Sequence, residues 1–244
     1  MRILPLACAA TLAFSSPARA QNAADSVGWH LVGNLGYVQT SGNTRLSTVN
    51  LGDKAVYRAS KWWTFTETAA WVYGKSAGIA SANQLLAGLR ADYWINPRLS
   101  AFGSADYEAN PPAGVAHRMQ ELGGLSWKAL ATPRSTLTID VGAGVTQQRT
   151  GFVDESYGIA RLAPLFHQKL GAHSYFEAGV ELTEDLKDTG HLRTTSATSL
   201  VAPLTAAIGI RLSYLMRYDA EPAPATPALK KLDTTFTTGI QITL

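Results

Sequence analysis

Charged residues in this 244-residue chain recur at even spacings. Arg90 and Asp92, Asp106 and Glu108, and Arg217 and Asp219 are each separated by one residue, and Arg211 stands six before Arg217. His30, Lys54, Arg58, Arg118, Lys128, Asp140 and Asp233 fall on the same parity of the segments that hold them. Successive side chains of a strand point to opposite faces, so even spacing collects these groups on one face. A face bearing both signs suits a hydrated lumen whose charges line a path for small solutes. It equally suits a ladder of ion pairs that plugs the interior, because partnerless charges in a narrow space are costly. On the first reading, exchanging Arg211 and Arg217 for Glu shifts a pore toward cations, since ring charges bias permeant ions.

Other chemistry finds less support. There is no G-x-S-x-G, H-E-x-x-H or P-loop. His30, His117, His167, His173 and His191 are scattered; His167 and His173 flank an expected turn and read as satisfied turn residues rather than metal ligands. The acidic cluster Glu184, Asp185 and Asp188 beside Lys187 reads as a solvated loop, with divalent-cation binding at a lipopolysaccharide surface as the sharper alternative. No catalytic residue, cofactor or metal site is assigned. A barrel-embedded lipid-modifying enzyme remains an alternative, because Ser, His and Asn distant in sequence escape a motif search.

The elements that must position the charges are strands. Leu137, Ile139, Val141, Ala143 and Val145 interleave with Thr138, Asp140, Gly142, Gly144 and Thr146. Ala206 to Met216 and Phe236 to Leu244 repeat that alternation. Turn-forming residues divide the chain into strands at 28–39, 45–58, 62–74, 84–95, 98–108, 117–130, 135–148, 155–169, 173–184, 191–202, 204–219 and 231–244. Most match or exceed the roughly 9–11 residues that a tilted strand needs to cross hydrocarbon.

Connections alternate between short (59–61, 96–97, 131–134, 171–172, 203) and long (75–83, 109–116, 149–154, 185–190, 220–230). The short ones share the side of the termini, the distribution of periplasmic turns and extracellular loops in outer-membrane barrels. Tyr57, Trp62, Trp63, Tyr93, Trp94 and Trp127 sit beside the short turns. Tyr37, Trp71, Tyr73, Tyr107, Tyr157 and Tyr218 lie toward the loops, which gives two aromatic girdles. Asp53, Glu67 and Arg161 conflict with this picture by falling on the lipid-facing parity, unless bulges reset the register.

Residues 1–20 read as an export signal: Arg2, an apolar run from Ile3 to Phe14, and the A-x-A site Ala18-Arg19-Ala20. Cys8 is the sole cysteine and lies in that segment, so the exported chain depends on burial or closure for stability. Removing Arg2 and Arg19 leaves 19 basic residues of 21 against 18 acidic ones. So even a balance argues against a nucleic-acid partner. No later apolar run is long enough for a transmembrane helix.

Several pieces then resemble the salt-induced outer-membrane proteins, YdiY-like, whose shared domain is of unknown function. They are Ser41-Gly42-Asn43-Thr44 with Ser47-Thr48-Val49-Asn50-Leu51-Gly52, Tyr107-Glu108 with Gly114 and Arg118, Gly123-Gly124, and Tyr218-Asp219 with Lys230-Lys231-Leu232-Asp233-Thr234. The resemblance implies an outer-membrane barrel and a response to salt stress, and brings no catalytic residues. Two features depart from it: the loop 108–113 lacks charge after Glu108, and the last residue is Leu244 rather than an aromatic.

The expectation is a signal peptide (1–20) followed by one all-β domain (21–244), a closed antiparallel transmembrane β-barrel of about twelve strands. It is located in the outer membrane of a Gram-negative bacterium. Its function is that of a non-enzymatic barrel, a narrow diffusion pore or an envelope protein responding to salt. Its partners are outer-membrane lipids, lipopolysaccharide, the barrel assembly machinery and small solutes. A soluble periplasmic β-sandwich is the further alternative. The expected lumen-lining residues are Arg58, Arg90, Asp92, Asp106, Glu108, Arg118, Asp140, Arg211, Arg217 and Asp233.

Overall fold

A computed structural model describes residues 27–40, 46–76, 78–188, 190–222 and 230–243. The segment read as a signal, the SGNT loop 41–44, most of the Pro-rich loop after Glu221, and Leu244 lie outside the described residues.

The described chain forms strands β1 (Gly28–Thr40), β2 (Leu46–Arg58), β3 (Trp63–Ser76), β4 (Ile79–Asn96), β5 (Leu99–Asn110) and β6 (Val115–Ala131). There follow β7 (Ser135–Thr150), β8 (Val153–Lys169), β9 (Tyr175–Asp185), β10 (Leu192–Pro203), β11 (Ile208–Asp219) and β12 (Leu232–Thr243). Each pairs antiparallel with its sequence neighbours, and β12 pairs with β1, so the sheet closes on itself as a twelve-stranded barrel. Closure removes the edges that would otherwise leave backbone groups unpaired.

We call the end carrying Gly28 and Thr243 the near end and the other the far end. Near-end turns are short, and several are held by their own first polar side chain. Ser60 Oγ accepts from the backbone N–H of Trp62 and Trp63, and Asn96 Oδ1 from Arg98 and Leu99. Thr132 Oγ1 accepts from Ser135 and Thr205 Oγ1 from Ile208. Such side chains satisfy backbone donors that a tight reversal strands.

Two far-end connections are shorter than their sequences suggest. Strands β3 and β4 continue pairing to Ser76 and Ile79 across a bulge at Gly74/Lys75, and β7 and β8 pair up to Thr150 and Val153. The expected loops 75–83 and 149–154 are therefore mostly strand. At the near end, β10 reaches Pro203 and β11 starts at Ile208, so 204–207 is turn and not strand.

The outward face is apolar: Leu31, Leu89, Leu125, Val141, Ile210 and Ile240 are all exposed. Trp29 and Tyr57 stack there, as do Trp63 and Phe65, and Trp71 and Tyr73 toward the far end. Two aromatics assigned to the girdles face inward instead. Trp94 donates its indole N–H to Thr64 Oγ1 beneath the Lys128 ammonium, and Tyr157 is buried. Arg161 also points inward, because β8 pairs with β9 in the phase that sets Arg161 opposite Thr183. Asp53 and Glu67 do stay outward; no bulge intervenes between β2 and β3, and the two carboxyl groups stand close enough to interact.

Candidate functional site

The interior has a filled part and an open part. On β4 to β7 the near half is filled. Arg90 donates through Nε and Nη2 to Asp92, each at 2.8 Å, and through Nη1 to Asp140 on β7. Its guanidinium lies 4.1 Å from the Phe102 ring, and Ser100 Oγ donates to Asp92 at 3.1 Å. Phe102, Leu122, Tyr157 and Ile159 form a buried cluster at this wall. A bidentate Arg–carboxylate contact under an aromatic face is a strong form of ion pair, and here it seals the wall.

The rest of the lumen holds a cavity of about 1900 Å³. Strands β8 to β12, β1 and β2 line it along much of their length, whereas β4 to β7 contribute only far-end residues such as Leu86, Glu108, Arg118 and Gln148. The open path is thus displaced toward one side of the barrel.

Toward the far end a charged belt crosses this cavity. Glu108 on β5 lies opposite Arg118 on β6, which lies opposite Gln148 on β7. Arg118 Nη1 donates to Glu108 at 2.9 Å, Arg118 Nε to Gln148 at 2.8 Å, and Gln84 Nε2 to Glu108 at 2.9 Å. Arg217 on β11 approaches the other Glu108 oxygen at 3.5 Å. β5 and β11 are six strands apart in the ring, so this ion pair spans the lumen from wall to opposite wall. Arg193 on β10 stands within electrostatic reach of Arg118, Glu108 and Asp219.

Deeper in, Arg161 Nη2 donates to Glu181 on the neighbouring strand. Below that, Arg211 donates to Ser213 at 3.0 Å and to Ser199 and Gln241 at 3.3 Å. Tyr175 donates its hydroxyl proton to Gln241 at 2.9 Å, while His167 sits 3.5 Å from Glu177 and packs on Tyr175. A second pocket of about 170 Å³ at the near end shares His167, Tyr175 and Gln241 with this group or its lining. The Tyr175–Gln241 contact therefore lies where the large cavity and the near-end pocket adjoin.

Of the expected lumen residues, Asp106, Glu108, Arg118, Arg211, Arg217 and Asp233 line the cavity, together with His30, Lys54 and Asp219. Arg90, Asp92 and Asp140 face inward but belong to the filled wall. Arg58 closes the near end of β2, and Lys128 is taken up by Trp94. Arg193, Glu177 and Glu181 were not legible as lumen groups; the shared parity of Glu177, Glu181 and Asp185 was the available signal. Glu184 and Asp185 are adjacent on β9 and so face opposite sides, and Asp185 accepts from the Lys187 and Asp188 backbone as a loop cap. Among the described residues no group of His, Cys, Asp or Glu is arranged to hold a metal ion.

The family model described as "Protein of unknown function, DUF481" matches residues 33–243. The chain belongs to the DUF481 family. Comparison with curated protein sequences gives no match. Among solved structures, this DUF481 barrel is similar to the NanC porin, with a TM-score of 0.55 and 11% identity, covering 87% of this chain and 100% of that one. It is likewise similar to an outer membrane channel from Pseudomonas putida F1, with a TM-score of 0.53 and 11% identity over 95% and 100% of the two chains. At that identity the likeness establishes a shared closed β-barrel fold.

Proposed function

We propose that this DUF481 protein is a non-enzymatic, narrow diffusion channel of the outer membrane, with its constriction at the Glu108–Arg217 bridge. The observation that carries this reading is the cavity of about 1900 Å³ lined by charges of both signs and left open beside a filled wall. A barrel meant only as a solid plug has no reason to keep that space. The apolar outer face with its stacked aromatics fits contact with membrane lipids and lipopolysaccharide, and the residue 1–20 segment fits export toward the assembly machinery.

Planar-bilayer conductance of the refolded chain tests the reading, after heat-modifiable mobility has shown that the barrel is folded. Discrete steps are expected from the native chain, and larger steps from Glu108→Ala, which removes the anchor of the bridge. Silence from a folded barrel refutes the channel. The salt response rests on the family resemblance; expression that does not change with osmolarity removes it.

A further inference from the structure

We propose that Arg118, Arg193 and Arg217 form a binding subsite for the anionic group, carboxylate or phosphate, of a small solute entering from the far end. This deepens the channel reading and rests on it for the solute's route. The three guanidinium groups come from β6, β10 and β11 and line one cavity: Arg118 and Arg217 both reach Glu108, and Arg193 is paired across the strands with Asp219, the next inward position after Arg217 on β11. Like charges gathered out of bulk water repel one another, and a ligand of opposite charge offsets that cost.

The carboxylates nearby do not already fill the role. Glu108 is shared among Gln84, Arg118 and Arg217. Asp185 caps the loop after β9, and Asp219 Oδ1 accepts from the Glu221 backbone and faces His191 Nε2 at 3.4 Å. Glu155 accepts from Gln148, and Asp233 is the cross-strand neighbour of Arg217. Arg193 is different: among the described residues it makes no hydrogen bond and no ion pair within 4 Å, only longer-range interactions with Asp219, Tyr157 and Glu108. Arginine presents a planar fork of N–H groups that matches carboxylate and phosphate geometry. Among the described residues Glu108, Glu155, Asp185 and Asp219 in this belt are engaged by hydrogen bonds or an ion pair, whereas the Arg193 guanidinium is left facing the cavity.

Equilibrium dialysis of the refolded chain in zwitterionic detergent, with inorganic phosphate and with succinate as probes, tests the site. Reversal potential in a KCl gradient is measured alongside. The native chain is expected to bind at least one probe and to favour anions. Arg193→Gln is expected to bind about tenfold more weakly, the loss of one charge-assisted contact. Arg193→Lys keeps the charge but not the fork, and is expected to fall between the two. The tighter probe identifies the preferred group. Native protein that binds neither probe, or equal binding by Arg193→Gln, overturns the site. Binding without conductance leaves the site standing and removes the channel; conductance with neither binding nor anion preference does the reverse. Arg118→Gln, judged folded by its mobility, gives a second loss-of-binding variant.

Discussion

The wall built by β4 to β7 and the wall built by β9 to β12 carry the same kinds of inward residue and use them differently. On the first, Arg90 is held by two carboxylates and an aromatic ring, and the space around it is closed. On the second, Arg211 is held by neutral oxygens of Ser199, Ser213 and Gln241, and Arg193 by none among the described residues, beside open volume. What separates the walls is the residues between the charges. Phe102 and Leu122 fill one side, and glycines let the backbones close in around them. A Cβ at Gly144 would stand 1.9 Å from the Glu121 carbonyl oxygen. On the other side the intervening inward positions are small and polar, such as Ser199, Ser213 and Thr237, and nothing projects far enough to fill the gap. Charge content alone therefore does not distinguish plug from passage; the volume of the interleaved side chains does.

The comparison breaks if the filled wall is not where stability resides. Arg90→Ala leaves Asp92 and Asp140 without their cation and is expected to cost about 3–5 kcal/mol in urea titrations of the folded barrel. A loss under about 1 kcal/mol would show the pairing to be incidental. Gly144→Ala forces two strands apart and is expected to cost about 1–3 kcal/mol by the same titration, with no change there removing the close-packing argument. Arg211→Gln sharpens the contrast from the other side. It is expected to cost about 1 kcal/mol, since its partners are neutral, while lowering anion preference in a KCl gradient. A stability loss as large as that of Arg90→Ala would make the two walls alike.

The strand count and the antiparallel barrel were legible because period-two alternation marks most strands and turn residues punctuate them. Phase was harder. In β8, apolar residues occupy both parities, Ile159 and Leu165 on one and Leu162 and Phe166 on the other, so Arg161 could be read as lipid-facing until pairing with β9 set it inward. Trp94 and Tyr157 show the same ambiguity for aromatics, which serve as interface anchors or as filler according to side. The Glu108–Arg217 bridge joins residues on opposite walls, and that contact follows from barrel closure and tilt rather than from any local pattern. Strand ends at 75–83 were read as loop because Gly, Ser and Ala there resemble loop composition, while backbone pairing carries the strands onward.

Ring closure depends on a modest joint. Among the described residues β1 meets β12 over the four pairs from Val32–Thr243 to Leu35–Ile240, whereas β1 meets β2 over thirteen. Gly239 permits the approach, since a Cβ there would stand 2.5 Å from the Leu35 carbonyl oxygen. Among the described residues this is the shortest zipper of the hoop, so the ring is held there by the fewest backbone pairings. A strand edge left unpaired is a template that a neighbouring strand can borrow, and this short joint is what keeps β1 from being one.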